Sequence, residues 1–226
     1  TVADILGTDT NTNFPNANVV MGTDGDDTIT GTSGSDLIAS FGGTDTVNAL
    51  AGNDKILGGS GVDTLNGGDD NDHLYGYAGA DTLNGNAGDD LIYGGKDDDT
   101  IDGDAGDDSL YGEAGDDTIT SGAGNDTLDG GLGDDIFIID GSGNKTIAGS
   151  SGSNALNINY SGISSLADFT TNLTDSTLTL TDANGGTITA SGIVNPDYLD
   201  NTGLTVNGNE IYFVDSSLSN NAFGRG

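Results

Sequence analysis

The chain has 226 residues, with 37 acidic side chains against 4 basic ones, a formal charge of −33, no cysteine and one histidine. The missing cysteines exclude a disulfide framework and a thiolate zinc site, and the single histidine excludes HExxH metalloprotease chemistry and most histidine-based catalysis. Nucleic acid is not an expected partner of so negative a chain, and no apolar run reaches the ~18 residues of a membrane-spanning helix.

Residues 1–21 carry only two acids, Asp4 and Asp9, and are predicted to form an N-terminal cap with Val2–Leu6 as a strand. No basic-then-apolar leader precedes them, so no secretory signal peptide is visible.

Residues 22–138 hold 27 of the 37 acids and two of the four bases. Disordered acidic tracts are aperiodic, whereas this one is strictly periodic. From Gly22, steps of nine give thirteen nonamers without a gap, from GTDGDDTIT to GGLGDDIFI. Position 6 is Asp in all thirteen: Asp27, Asp36, Asp45, Asp54, Asp63, Asp72, Asp81, Asp90, Asp99, Asp108, Asp117, Asp126 and Asp135. Position 8 is apolar in all thirteen, from Ile29 to Phe137, and position 4 is Gly in eleven, with Asp70 and Asp97 as the exceptions. In this frame the nine residues from Ile139 lose the pattern.

The repeat resembles the RTX calcium-binding nonapeptide family, whose pattern is GGxGxDxUx. The resemblance covers about half of the chain. It implies an all-β fold, a right-handed parallel β-roll or β-helix solenoid in which two nonamers make one 18-residue coil, closed by small β-rich caps. It also implies a secreted bacterial protein exported by the type I route, and the absence of an N-terminal signal is expected on that route.

A physical reading of the same residues leads to calcium. Glycines at positions 1, 2 and 4 allow a tight turn with carbonyls facing inward. The last three residues of a nonamer suffice for a short strand with one buried side chain, and stacking at about 4.8 Å sets each position-6 Asp beside the one 18 residues away. Carboxylates so close must be neutralised or their pKa values must rise. Two carboxylates with backbone carbonyls form an all-oxygen site that suits Ca2+. The candidate ligands are the thirteen Asp and the carbonyls of the leading glycines Gly58, Gly67, Gly76, Gly85, Gly94, Gly103, Gly112 and Gly130. The odd repeats leave six gaps between stacked carboxylates and the even repeats five, so up to roughly 11 ions are expected. Sites beside Ser40-Phe41 and Ala49-Leu50, which lack the leading Gly pair, are weaker candidates, and Asp70 and Asp97 either strain the turn or add a ligand. One buried apolar residue per nonamer is too little to offset the ordering of nine residues, so the metal-free chain is expected to be unfolded.

Positions 7 and 9 flank the buried residue and are expected to point outward. Odd repeats place Thr and Asn there, from Thr28/Thr30 to Thr118/Thr120, as a flat ladder. Even repeats place a Tyr75-Tyr93-Tyr111 stack with Leu neighbours, a candidate surface for self-assembly or a neighbouring domain. His73, at an outward position 7, is read as a surface residue.

Residues 139–226 have eight acids and read as a β-rich C-terminal cap or flanking region. Thr177–Thr181 and Thr187–Ser191 flank Asp182-Ala-Asn-Gly-Gly, a hairpin signal. Residues 164–169 suggest a helical turn after a Ser cap, and 210–214 a final strand.

No GxSxG, Walker A or EF-hand loop is present, so no enzyme is expected. The leading reading is a calcium-folded domain of a secreted surface-layer or adhesin-like protein. The alternatives are a non-catalytic calcium module of a type I-secreted enzyme or toxin, and ice or carbohydrate binding through the outward ladders.

Overall fold

In Thr64-Leu65-Asn66-Gly67-Gly68-Asp69 the second and fourth residues are buried and the others are partly or fully exposed, the period of two of a strand with one face inward. The sequence pattern requires only three residues per strand, yet most strands of the repeats run for six or seven. Gly at position 1 continues the alternation inward, so the strand crosses from one nonamer into the next.

The structure is a computed structural model that describes residues 18–159, 169–174, 177–182, 185–191, 203–206 and 209–210. The described residues form strands and no helix. Numbered along the chain, one sheet stacks β1 (Asn18–Met21), β3 (Asp36–Gly42), β5 (Lys55–Ser60), β7 (His73–Ala78), β9 (Leu91–Lys96), β11 (Ser109–Ala114), β13 (Asp126–Leu132) and β15 (Lys145–Ala148), then β19 (Thr187–Ser191), β18 (Thr177–Asp182) and β17 (Phe169–Thr174). The other stacks β2 (Thr28–Thr30), β4 (Thr46–Ala51), β6 (Thr64–Asp69), β8 (Thr82–Ala87), β10 (Thr100–Asp102), β12 (Thr118–Thr120), β14 (Ile136–Ile139) and β16 (Ala155–Ile158), then β20 (Gly203–Val206) and β21 (Asn209–Glu210).

Through the repeats every pairing is parallel with partners 18 residues apart, as in Leu65↔Leu83 and Ile56↔Leu74. The chain is therefore a β-solenoid of 18-residue coils, each giving one strand to each sheet. All thirteen position-8 side chains are buried, and twelve of them, from Ile38 to Phe137, show no exposed surface. They form one apolar column between the sheets.

The coils continue past Phe137 with one extra residue. Asp126 pairs with Lys145 and Ile136 with Ala155, registers of 19. The inserted residue is Ile139, which is buried and takes the inward slot that a leading Gly fills elsewhere. Ile158 takes the same slot one coil on and pairs with Ile139. β14 and β16 bury two apolar side chains each, Phe137 with Ile139 and Leu156 with Ile158, where β6 to β13 bury one. The expected hairpin is present, with Thr181 opposite Thr187 and Leu178 opposite Ala190, and β19 joins it to the stack beside β15. Val2–Leu6, residues 164–168 and residues 211–214 lie outside the described residues, while Phe169 opens β17 and Glu210 closes β21.

Of the positions expected to face outward, Leu37, Ala39 and Leu57 are buried. Each is flanked along its rank: Leu37 by Val19 and Lys55, Ala39 by Met21 and Leu57, Leu57 by Ala39 and Tyr75. Further along, Tyr75, Tyr93 and Tyr111 form a ring stack, with centroids 5.3 and 4.8 Å apart and planes within 8° and 11°. Lys55 Nζ lies 5.4 Å from the Tyr75 ring centroid. On the other sheet Asn84 Nδ2 donates to Asn66 Oδ1 at 2.9 Å, a rung of the Thr/Asn ladder.

Candidate metal centres

From the third nonamer on, each turns through two left-handed residues, at positions 2 and 4. At position 4, Gly79 has φ +126°, and an added Cβ would lie 1.6 Å from the carbonyl oxygen of Gly61 in the coil before. Stacked loops thus approach backbone to backbone, which only glycine permits without displacement. Position 2 is less strict: Phe41, Leu50, Tyr77, Asn86, Asp104 and Glu113 take φ of 63–88° there. Asp70 and Asp97, at position 4, have φ of 77° and 73°, so they keep the turn at a cost of about 1–2 kcal/mol each.

These turns aim the position-6 carboxylates along the solenoid axis. From Asp36 to Asp135 these residues are at most 2% exposed. The backbone N–H of each donates to Oδ1 of the Asp 18 residues on, from Asp27→Asp45 at 2.8 Å and Asp36→Asp54 at 2.7 Å to Asp117→Asp135 at 3.1 Å. Two columns result, one for odd and one for even repeats. In each, Oδ1 holds the coil below and Oδ2 is left over. Oδ2 of Asp45, Asp54, Asp63, Asp72, Asp81, Asp90, Asp99, Asp108, Asp117 and Asp135 is buried without a hydrogen-bond partner.

An orphaned buried carboxylate oxygen is costly, and the cost shows in the acidities. Burial pushes Asp72 and Asp99 up to about 8, Asp90 and Asp108 to about 7, and Asp54, Asp81 and Asp117 to about 6. The amide hydrogen bond on each Oδ1 opposes this shift, and neighbouring carboxylates add to it. Asp70 raises Asp54 and Asp72, and Asp97 raises Asp81 and Asp99.

The leading glycines lie against the same oxygens. A Cβ on Gly58 would meet Asp63 Oδ2 at 2.8 Å and the Gly76 carbonyl of the next coil at 3.0 Å, and Gly76, Gly85, Gly94, Gly103, Gly112 and Gly130 are crowded by the Oδ2 of their own repeat in the same way. Gly67 follows suit with Asp72 Oδ2. Where Ser40 replaces the leading Gly, its hydroxyl donates to the Gly58 carbonyl at 2.8 Å. The described residues contain no group of three or more His, Cys, Asp or Glu side chains that could hold a metal. The donors here are single carboxylates among carbonyls.

Both columns close on protein groups. At the start, Thr23 and Thr32 stand at position 2, and each gives its amide and its hydroxyl to Oδ2 of Asp27 and Asp36. At the end, Asn154 replaces Asp: its Oδ1 accepts from the Asp135 amide at 2.8 Å, and its Nδ2 donates to the carbonyls of Gly149 and Ser151. Lys145 holds the corresponding place above Asp126. The sequence reading missed both residues. The signal was there: skipping Ile139 restores the frame as DGSGNKTIA and GSSGSNALN, with Lys and Asn at position 6.

The RTX calcium-binding nonapeptide repeat model matches residues 15–40, 21–56, 40–74, 75–110 and 102–137, more than half of the chain. The chain belongs to the RTX calcium-binding repeat family. Its repeats are calcium-binding repeats, and the all-oxygen donors around each orphaned Oδ2 fit a hard cation. No curated protein sequence matches the RTX chain. Among solved structures it is similar to the extracellular lipase LipA from Serratia marcescens, at 17% identity and TM-score 0.37 over 83% of this chain and 40% of the lipase. It is also similar to the AlgE6R3 subunit of the Azotobacter vinelandii mannuronan C5-epimerase, at 19% identity and TM-score 0.26 over 91% of each chain. The RTX chain thus spans well under half of the lipase.

Proposed function

We propose that Ca2+ ions bridge successive coils of residues 22–138 and supply the free energy that folds them, each ion seated on one Asp Oδ2 and on loop carbonyls of two coils. The observation that carries this reading is the set of ten buried carboxylate oxygens without a hydrogen-bond partner, six in the odd column and four in the even one. Ten such oxygens point to about ten ions, close to the eleven gaps of the sequence pattern. Asp27 and Asp36, whose Oδ2 is taken by Thr23 and Thr32, contribute least.

A chain that folds only on calcium stays extended where the ion is scarce and folds where it is plentiful, which suits an exported protein. The role proposed is structural and non-catalytic, as part of a secreted, surface-layer or adhesin-like protein. Its lateral contact is the rank of Tyr75, Tyr93 and Tyr111, whose stacked rings present one continuous amphipathic strip.

Circular dichroism in EDTA and in millimolar Ca2+ tests the reading. Strand signal that appears only with calcium supports it, and strand signal of equal strength in EDTA at neutral pH overturns it. Calcium-dependent assembly of the chain distinguishes a surface lattice from the calcium module of a secreted enzyme.

A further inference from the structure

We propose that the Lys145 ammonium is a tethered substitute for a calcium ion, occupying the last seat of the even column so that this ladder closes without metal. The proposal rests on the calcium-bridging reading and adds to it a residue that the repeat pattern does not contain.

Register comes first. Lys145 is the ladder partner of Asp126, and so stands where the next position-6 Asp would stand after Asp36, Asp54, Asp72, Asp90, Asp108 and Asp126. Its side chain does not turn out to solvent as a lysine ordinarily does. It is fully buried, as is that of Asp126.

The contacts of Nζ come second. The three N–H of the ammonium are shared among four acceptors, Asp126 Oδ2 at 2.5 Å, the carbonyls of Gly122 and Gly124 at 2.9 and 2.8 Å, and the carbonyl of Ser142 at 3.2 Å. Gly122 and Gly124 are positions 2 and 4 of the loop that carries Asp126, and Ser142 belongs to the next coil. One cation therefore collects a carboxylate and two carbonyls from the coil below and a carbonyl from its own coil, all oxygen donors. A calcium ion binds such donors at about 2.3–2.6 Å and would overlap the nitrogen, so the two cations exclude each other.

The pattern of orphaned oxygens is the third observation. From Asp45 to Asp135 every position-6 Asp has an unpartnered Oδ2 except Asp126. The exception coincides with the lysine. A buried carboxylate here is met by a fixed ammonium, and elsewhere in the same column by none.

Two measurements on the 226-residue chain decide the matter. In native mass spectrometry with saturating Ca2+, Lys145→Asp is expected to bind one ion more than the wild type, because it restores the repeat at position 6. A variant that retains the wild-type number overturns the proposal. Should the variant not fold, reductive methylation of the calcium-loaded wild type still decides: Lys55 and Lys96 react and Lys145 stays unmodified. Methylation of Lys145 as fast as Lys96 means that metal has displaced it, and also overturns the proposal. A wild type that binds no Ca2+ at all refutes the bridging reading instead, and the two failures are therefore distinct.

Discussion

The backbone N–H of Asp81 donates to Oδ1 of Asp99 at 2.8 Å, while Oδ2 of Asp99 is buried without a partner. One carboxylate thus does two jobs: one oxygen sets the register of the coil below, and the other holds charge that something must neutralise. The two jobs can be separated by mutation.

Asp99→Asn keeps the acceptor and removes the charge. Asn154 already shows the result, with Oδ1 accepting the amide of the coil below and Nδ2 donating to loop carbonyls. In chelator the substitution is expected to stabilise residual structure by about 1–3 kcal/mol, and in calcium to destabilise by a similar amount with the loss of one ion. Thermal melts with and without Ca2+ check the opposite signs; the same sign in both media contradicts a metal role for Asp99.

The raised pKa values predict an unusual pH dependence. In the metal-free fold Asp72 and Asp99 titrate near 8, Asp90 and Asp108 near 7, and Asp54, Asp81 and Asp117 near 6, against 3.8 for the unfolded chain. The folded state binds more protons, so this contribution to stability is fully present below pH about 4 and is lost as pH rises through 6 to 8. In EDTA, strand signal is expected to grow on acidification from pH 8 to 4.5. In calcium, protons compete with the ion where acid has populated the metal-free fold, so affinity falls and binding releases protons toward the acid end of that window, which calorimetry in buffers of different ionisation enthalpy will register.

Left-handed residues give a third test. Leu50 sits at φ 88° with 40% of its surface exposed. Leu50→Gly relieves the strain and is expected to raise the calcium-loaded melting point by ~2–4 °C, for a gain of about 1 kcal/mol. Gly79→Ala forces a Cβ onto the Gly61 carbonyl and is expected to lower the melting point sharply and to cost the ion at Asp81. A Gly79→Ala protein with wild-type melting would contradict the backbone contact.

The tyrosine rank makes a fourth. Tyr93 stacks on both Tyr75 and Tyr111. Tyr93→Ala is expected to weaken calcium-dependent association roughly tenfold without changing the number of bound ions. Sedimentation velocity reads the first and native mass spectrometry the second. Unchanged association would move the contact elsewhere.

Much of the solenoid was legible because its signal repeats. Position 8 is apolar thirteen times, and each of those side chains is buried. The alternation of Thr/Asn with Tyr/Leu ranks every 18 residues anticipated two strands per coil and two sheets. Strand length was not legible, since a glycine at position 1 looks like a turn residue and only its packing against Asp Oδ2 shows that it faces inward.

From the amino-acid order alone came the period, the column of carboxylates and the oxygen-rich chemistry that suits calcium, because each depends on local spacing repeated many times. The closures at the two ends depended on tertiary structure. Thr23, Thr32, Lys145 and Asn154 are ordinary residues in a linear reading, and Ile139 hides the last two by shifting the frame by one. Stacking overrides such a shift, because the ladder pairs residues by height along the axis and the apolar core absorbs the extra side chain. That pairing brings a lysine 19 residues away into contact with the carboxylate of Asp126.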